Sequence, residues 1–89
     1  MSALTLDELQ QDRLAMSVAR ALAVANDAAL SHGTQPQDCL ITISEEPSDQ
    51  GRLWRVHYGA RDYVNQRGGD LIVLVDEQSE VVRRITRGQ

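Results

Sequence analysis

The chain has 89 residues, 42% of them hydrophobic and 25% charged, with a net charge of −4. So short a chain has room for one core and buries roughly 60–65% of its unfolded surface on folding. The negative balance argues against general affinity for nucleic acid or anionic lipid. No apolar run approaches the ~20 residues of a membrane span, and the opening MSALTLDELQQD lacks a basic region followed by an apolar core.

All nine basic residues are arginines. Without lysine there is no Schiff-base chemistry and no phosphate-loop lysine. Cys39 has no second cysteine to pair with, in keeping with a reducing, cytoplasmic setting. The charges are unevenly spread. Up to Gly51 the acids outnumber Arg13 and Arg20, whereas from Arg52 onward the arginines outnumber the acids.

Thr5-Leu6-Asp7-Glu8 has the form of a capping box, in which a Thr hydroxyl and a Glu three residues on satisfy orphan N–H groups reciprocally. No proline or glycine follows until Gly33, which suits the left-handed position just past a helix, and Pro36 blocks resumption. The spacing predicts one helix over Leu6–His32. Leu14, Val18, Ala21, Leu22, Ala25 and Ala29 form one stripe, mostly of small residues that let a helix sit close on a sheet. A thinner line, Leu9, Met16, Ala23 and Leu30, repeats every seven residues on the opposite flank. Either a curved sheet or a loop wraps round the helix to meet it, or it is a seam for another chain.

After a short loop at Thr34–Asp38, Cys39–Ser44 alternates: Cys39, Ile41 and Ile43 on one face, Leu40, Thr42 and Ser44 on the other. The turn-rich Glu46–Gly51 is expected to end that strand. Leu53–Tyr58 alternates again, with Trp54, Val56 and Tyr58 inward and Arg55 and His57 outward. Gly59–Gly69 reads either as a loop or as a strand extension. Leu71–Val75 is the most apolar run and β-branched, and Asp70–Val75 reads as a central strand covered on both faces. A polar turn at Asp76–Glu80 leads into a last strand, Val81–Thr86.

One helix and four strands joined by short links make an α+β domain over residues 1–89, a long helix packed on a four-stranded antiparallel meander. The expected core is Leu14, Val18, Leu22, Ala25 and Ala29 against Ile41, Ile43, Trp54, Val56, Leu71, Val73 and Val75. A meander places the turns after the first and third strands at one end of the sheet. Glu45, Glu46, Asp49, Asp76, Glu77 and Glu80 then form an acidic pole, with Arg61, Arg67 and Arg87 toward the other end.

Trp54-x-Val56-x-Tyr58 followed by Gly69-Asp70-Leu71-Ile72-Val73-Leu74-Val75-Asp76-x-x-Ser79 resembles small bacterial immunity proteins with a cystatin-like or nuclear-transport-factor-like fold, and more loosely PepSY-type domains. The resemblance covers about the last forty residues. Glu80 stands where that pattern has a turn glycine, and a left-handed conformation there is costly for Glu. Such a family implies a non-enzymatic protein that binds and blocks a toxin, with no site residue to carry over.

The residues themselves offer little chemistry. Cys39, His32 and His57 lack metal-ligand spacing, and Gly68-Gly69 precedes a strand rather than a helix. Cys39 and His57 are expected on opposite faces of the sheet, which separates the one nucleophile–base pair available. No catalytic group and no cofactor is expected. The reading favoured is a protein-binding module, an immunity or inhibitor protein, acting through the sheet face away from the helix. There Arg55, His57, Ile72, Leu74 and Arg83 would meet a protein partner or a second copy of the chain, an apolar centre rimmed by cations. The alternatives are a small assembly subunit that homodimerises and a small-ligand carrier with a pocket between helix and sheet.

Overall fold

A computed structural model describes residues 6–49, 51–60 and 70–88. The capping box at Thr5 and the stretch Arg61–Gly69, with Arg61 and Arg67, lie outside these residues, as do the side chains of residues 6–10, Leu9 among them. The fold is α+β. Helix α1 (Leu6–Ser31) is followed by a 3₁₀ turn (Pro36–Asp38) and by strands β1 (Cys39–Ser48), β2 (Gly51–Ala60), β3 (Leu71–Asp76) and β4 (Val82–Arg87). The sheet is an antiparallel meander in the order β1-β2-β3-β4.

The helix ends as its sequence dictates. Gly33 takes φ +81, the Gly33 N–H reaches Leu30 O at 3.1 Å, and the Thr34 N–H reaches Ala29 O at 2.9 Å. This paired closure is the Schellman motif, and it needs a residue without a Cβ penalty at the left-handed position. The Arg87 guanidinium then donates to His32 O at 2.9 Å, adding a cation at the negative end of the helix dipole.

Alternation of period two sorts the strand side chains. Trp54, Val56, Tyr58, Leu71, Val73 and Val75 all point toward the helix and are buried. Opposite them Ala21, Ala25 and Ala29, four residues apart, present methyl groups that bring the helix axis close to the sheet. Two hydrogen bonds cross the interface where aromatic rings carry a polar tip. The Trp54 indole N–H donates to Ser17 Oγ at 2.9 Å, and the Tyr58 hydroxyl donates to Asn26 Oδ1 at 2.7 Å. Burial, with a smaller contribution from the nearby Cys39, pushes the Tyr58 hydroxyl up to about 12.

The helix lies over β3 and flanks β2 and β4, leaving β1 largely uncovered. Two expected core residues are therefore not in the core. Leu14 is 47% exposed because a 26-residue helix, about 39 Å long, overruns a six-residue strand of about 20 Å. Ile41 is 37% exposed because the helix does not reach across to β1. The seven-residue line is open as well: Met16, Ala23 and Leu30 are exposed, and no strand among the described residues wraps round to meet them.

The first strand also runs further than its alternation suggests, through Glu45, Glu46 and Pro47 to Ser48. A tight hairpin extends the pairing, with Ser48 opposite Gly51 and the Ser48 hydroxyl donating to Gly51 O at 2.6 Å. Proline is tolerated there because β1 is an edge strand.

Replacing Trp54 by Ala removes the largest buried ring and the tie to Ser17, and should cost about 3–5 kcal/mol. Leu14→Ala, which the composition stripe alone ranks beside it, should cost less than about 0.5 kcal/mol. Urea unfolding of both variants checks the assignment. Similar losses from the two would mean that the helix sits on the sheet differently.

Candidate protein-binding face

The sheet face away from the helix is read off the strand register, row by row. Near the acidic end the row is Glu46, Leu53 and Asp76. Next come Ser44, Arg55, Leu74 and Arg84, then Thr42, His57, Ile72 and Thr86. At the opposite end Leu40 stands beside Gly59. Ile72 and Leu74 are half-buried at the centre, with the longer polar side chains around them.

The residues expected on this face, Arg55, His57, Ile72, Leu74 and Arg83, all lie on it. His57 is tied down, its Nε2 standing 2.7 Å from Asp70 Oδ2. The ring lies against Gly59, where a Cβ would come within 3.0 Å of His57 Cε1. Arg83 lies at the acidic end of the same face, beside Leu53, Leu74 and Arg84, and is engaged there. Its Nε and Nη2 donate to Asp76 Oδ2 at 3.1 and 2.8 Å, a bidentate pair that closes the β3–β4 turn. The same carboxylate accepts the N–H groups of Gln78 and Ser79 at Oδ1, both at 2.9 Å. The Ser79 N–H, then Arg83, and after them the Gln78 N–H hold Asp76 down at about 2.

Arg84 is the residue that alternation from Val81 passes over. A bulge between Leu74 and Val75 shifts the pairing, so that Arg84 stands opposite Leu74. The signal was Ile85: the apolar residue of the strand belongs on the helix side, and its neighbour must then face away. Arg55 and Arg84 bracket Leu74 with their Cα atoms about 9–10 Å apart, two strand spacings. Among the described residues neither guanidinium lies within 4.0 Å of a carboxylate.

The acidic pole, by contrast, is largely neutralised. Arg52 lies 3.5 Å from Glu45 and 3.4 Å from Glu77, Arg20 lies 3.4 Å from Glu80, and Arg83 holds Asp76. Glu80 adopts φ +59, the left-handed position that the missing turn glycine implied. Its N–H donates to Asp76 O at 2.9 Å, which closes the turn at the expense of that backbone strain.

No other constellation competes. Cys39 Sγ lies 3.3 Å from Gln35 O on the helix side, so it and His57 occupy opposite faces. Among the described residues no three metal-capable side chains cluster. No helix among them is long and apolar enough to cross a membrane. The space between helix and sheet is filled, Ala25, Ala29, Val56, Val73 and Val75 being fully buried. An open cleft of about 420 Å³ lies instead beyond it, between the helix start and the β3–β4 turn, with Arg13, Met16 and Trp54 in its walls.

No family model, no curated protein and no solved structure matches this chain.

Two expectations follow from the β3–β4 turn. Asp76 ionises more readily folded than unfolded, so its contribution is complete above pH 4 and disappears as the pH falls from about 4 through about 2. Urea midpoints measured across that window should fall in the wild type and fall less steeply in Asp76→Asn. Equal slopes would show that the carboxylate is not bound as described. Glu80→Asn keeps a residue that tolerates the left-handed region and gives up only an exposed ion pair. It should raise stability by about 0.5–1 kcal/mol by the same measurement, and a loss would place the strain elsewhere.

Proposed function

We propose that this chain is a non-enzymatic protein-binding module, of the immunity or inhibitor kind, whose open sheet face receives a carboxylate-bearing protein. The observation that carries the reading is the row Arg55–Leu74–Arg84. Every other described arginine from Arg52 onward is engaged within the fold: Arg52 with two carboxylates, Arg83 with Asp76, Arg87 with the end of the helix. Two cations left over, flanking a half-buried leucine on a rigid sheet, have the composition of an interface centre, where arginine is enriched and apolar contact supplies the affinity. The chain's overall negative charge makes such a cationic row a local and therefore selective attractor. A cytoplasmic setting belongs to the same reading, supported by the absence of any cysteine pair.

Among the described residues His57 and Asp70 form the one acid–base couple on this face, at 2.7 Å. Their neighbours in the row, Thr42 and Ile72, supply no cluster of backbone donors to stabilise a developing oxyanion, and this favours the binding reading over a catalytic one.

The test uses immobilised chain to capture its partner from an extract of the source cells, followed by titration with the purified partner. Arg55→Glu combined with Arg84→Glu should keep the wild-type circular dichroism and weaken binding by at least about tenfold. Binding to the wild type should also weaken as salt rises. A partner held equally by the charge-reversed variant, or no partner at all, overturns the proposal.

A further inference from the structure

The two edges of the sheet are not alike. β4 is six residues long, is bulged opposite Leu74 and Val75, and carries Arg83, Arg84 and Arg87. Shortness, irregular pairing and positive charge keep an edge from pairing with another chain. β1 is ten residues long and pairs with β2 without a break from Cys39 to Ser48. Its charges and its proline fall in the half nearest the hairpin, while Cys39–Ser44 is uncharged. That half is apolar and exposed on both sides at once. Leu40 is 50% exposed on the open face, and Ile41 is open on the helix side beside a groove walled by Leu30, itself 50% exposed.

We propose that β1 pairs antiparallel with β1 of a second copy of this chain, about a two-fold axis at Ile41, joining two four-stranded sheets into one. This is a different surface from the Arg55–Leu74–Arg84 row and does not rest on the reading given for that row. The charge pattern selects both the occupant and the register. Two chains of net charge −4 repel at long range. A contact between copies therefore requires an uncharged segment, and this edge provides one. A basic foreign strand would favour the Glu45–Glu46 half, not the half whose apolar side chains are exposed.

With the axis at Ile41, that residue opposes itself, Leu40 of each copy opposes Thr42 of the other, and Cys39 opposes Ile43. Directly opposed residues share a face in an antiparallel pair, so helix-side side chains meet helix-side side chains. Glu45 and Glu46 then fall opposite Gln37 and Pro36, where the ladder ends. Moving the axis to Thr42 sets Glu46 against Asp38. Moving it to Ile43 sets Glu45 against Ile41 and Glu46 against Leu40. Of these three registers the first alone opposes Ile41 with itself and Cys39 with Ile43 while keeping carboxylates away both from one another and from the apolar side chains.

Cross-linking reads the register directly. In a Cys39→Ser background, Ile41→Cys places two thiols on directly opposed residues, whose Cα atoms lie about 4.5–5.5 Å apart, within disulfide reach. Ile43→Cys in the same background lies four residues from its own counterpart, about 13 Å along the strand, and should not cross-link. Mild oxidation should therefore give a covalent dimer for the first variant alone. The wild type should sediment as a dimer that tightens as salt rises, because screening relieves repulsion between like-charged copies. Ile41→Lys, folded by circular dichroism, should weaken association by at least about tenfold. The pair Arg55→Glu and Arg84→Glu should leave it intact. A wild-type chain that stays at 9.9 kDa up to about 200 µM overturns the proposal. So does equal cross-linking of both cysteine variants, or a folded Ile41→Lys chain that still dimerises.

Discussion

The rest of the structure depends on the gap between the helix and the sheet. Ala21, Ala25 and Ala29 set it from one side, since nothing longer than a methyl group lies between the helix backbone and β2 and β3 along that line. Trp54 and Tyr58 set it from the other, each holding a helical side chain by a hydrogen bond of fixed length, to Ser17 and Asn26. The two devices are coupled. A bulkier residue at Ala25 would lift the helix and stretch both part-buried bonds together, weakening the tie of the indole N–H and of the phenol to the helix. A close helix also covers little width, and with its axis over β3 it cannot reach the far strand. The exposed edge is thus a result of the small-residue stripe.

Charge is organised by the same geometry. The meander brings the β1–β2 and β3–β4 turns to one end, and the carboxylates gathered there would repel one another if left alone. Arg52, Arg20 and Arg83 reach into them from three elements. Most of these pairs are exposed and contribute little singly. The exception is Asp76, which is buried and accepts from two backbone N–H groups and a bidentate guanidinium. It acts as the pin of the turn. Arginines spent in this way are engaged within the fold, which is why Arg55 and Arg84 stand out.

Much of this was legible in the residues. Alternation placed Trp54, Val56 and Tyr58 on one face and Arg55 and His57 on the other, because a strand offers only two directions. Gly33 and Pro36 marked the helix end through backbone restrictions that hold in any context. What escaped was lateral or collective. Leu14 satisfies the helical spacing, but spacing cannot say that the strand directly beneath, β3, is half as long as the helix. Ile41 alternates correctly, yet its exposure depends on which strands the helix covers. Arg84 was hidden by a bulge, which a run of residues does not announce. Glu46 to Ser48 read as part of a turn because their propensity is poor, and only the hairpin's closure holds them extended.

The way β1 is attached has a dynamic side. β2 and β3 are gripped by two ladders and by the helix, and β4 by one ladder and the helix, whereas β1 is held almost entirely by its pairing with β2. None of its own side chains is buried, Cys39 and Ile43 being half-buried at most, so the strand can peel away while the remaining three and the helix keep their core. Such a partial opening lies far below global unfolding in free energy. It would give the molecule a hinged flap at the end of an otherwise rigid sheet, with amide protons that exchange with solvent long before those of β3.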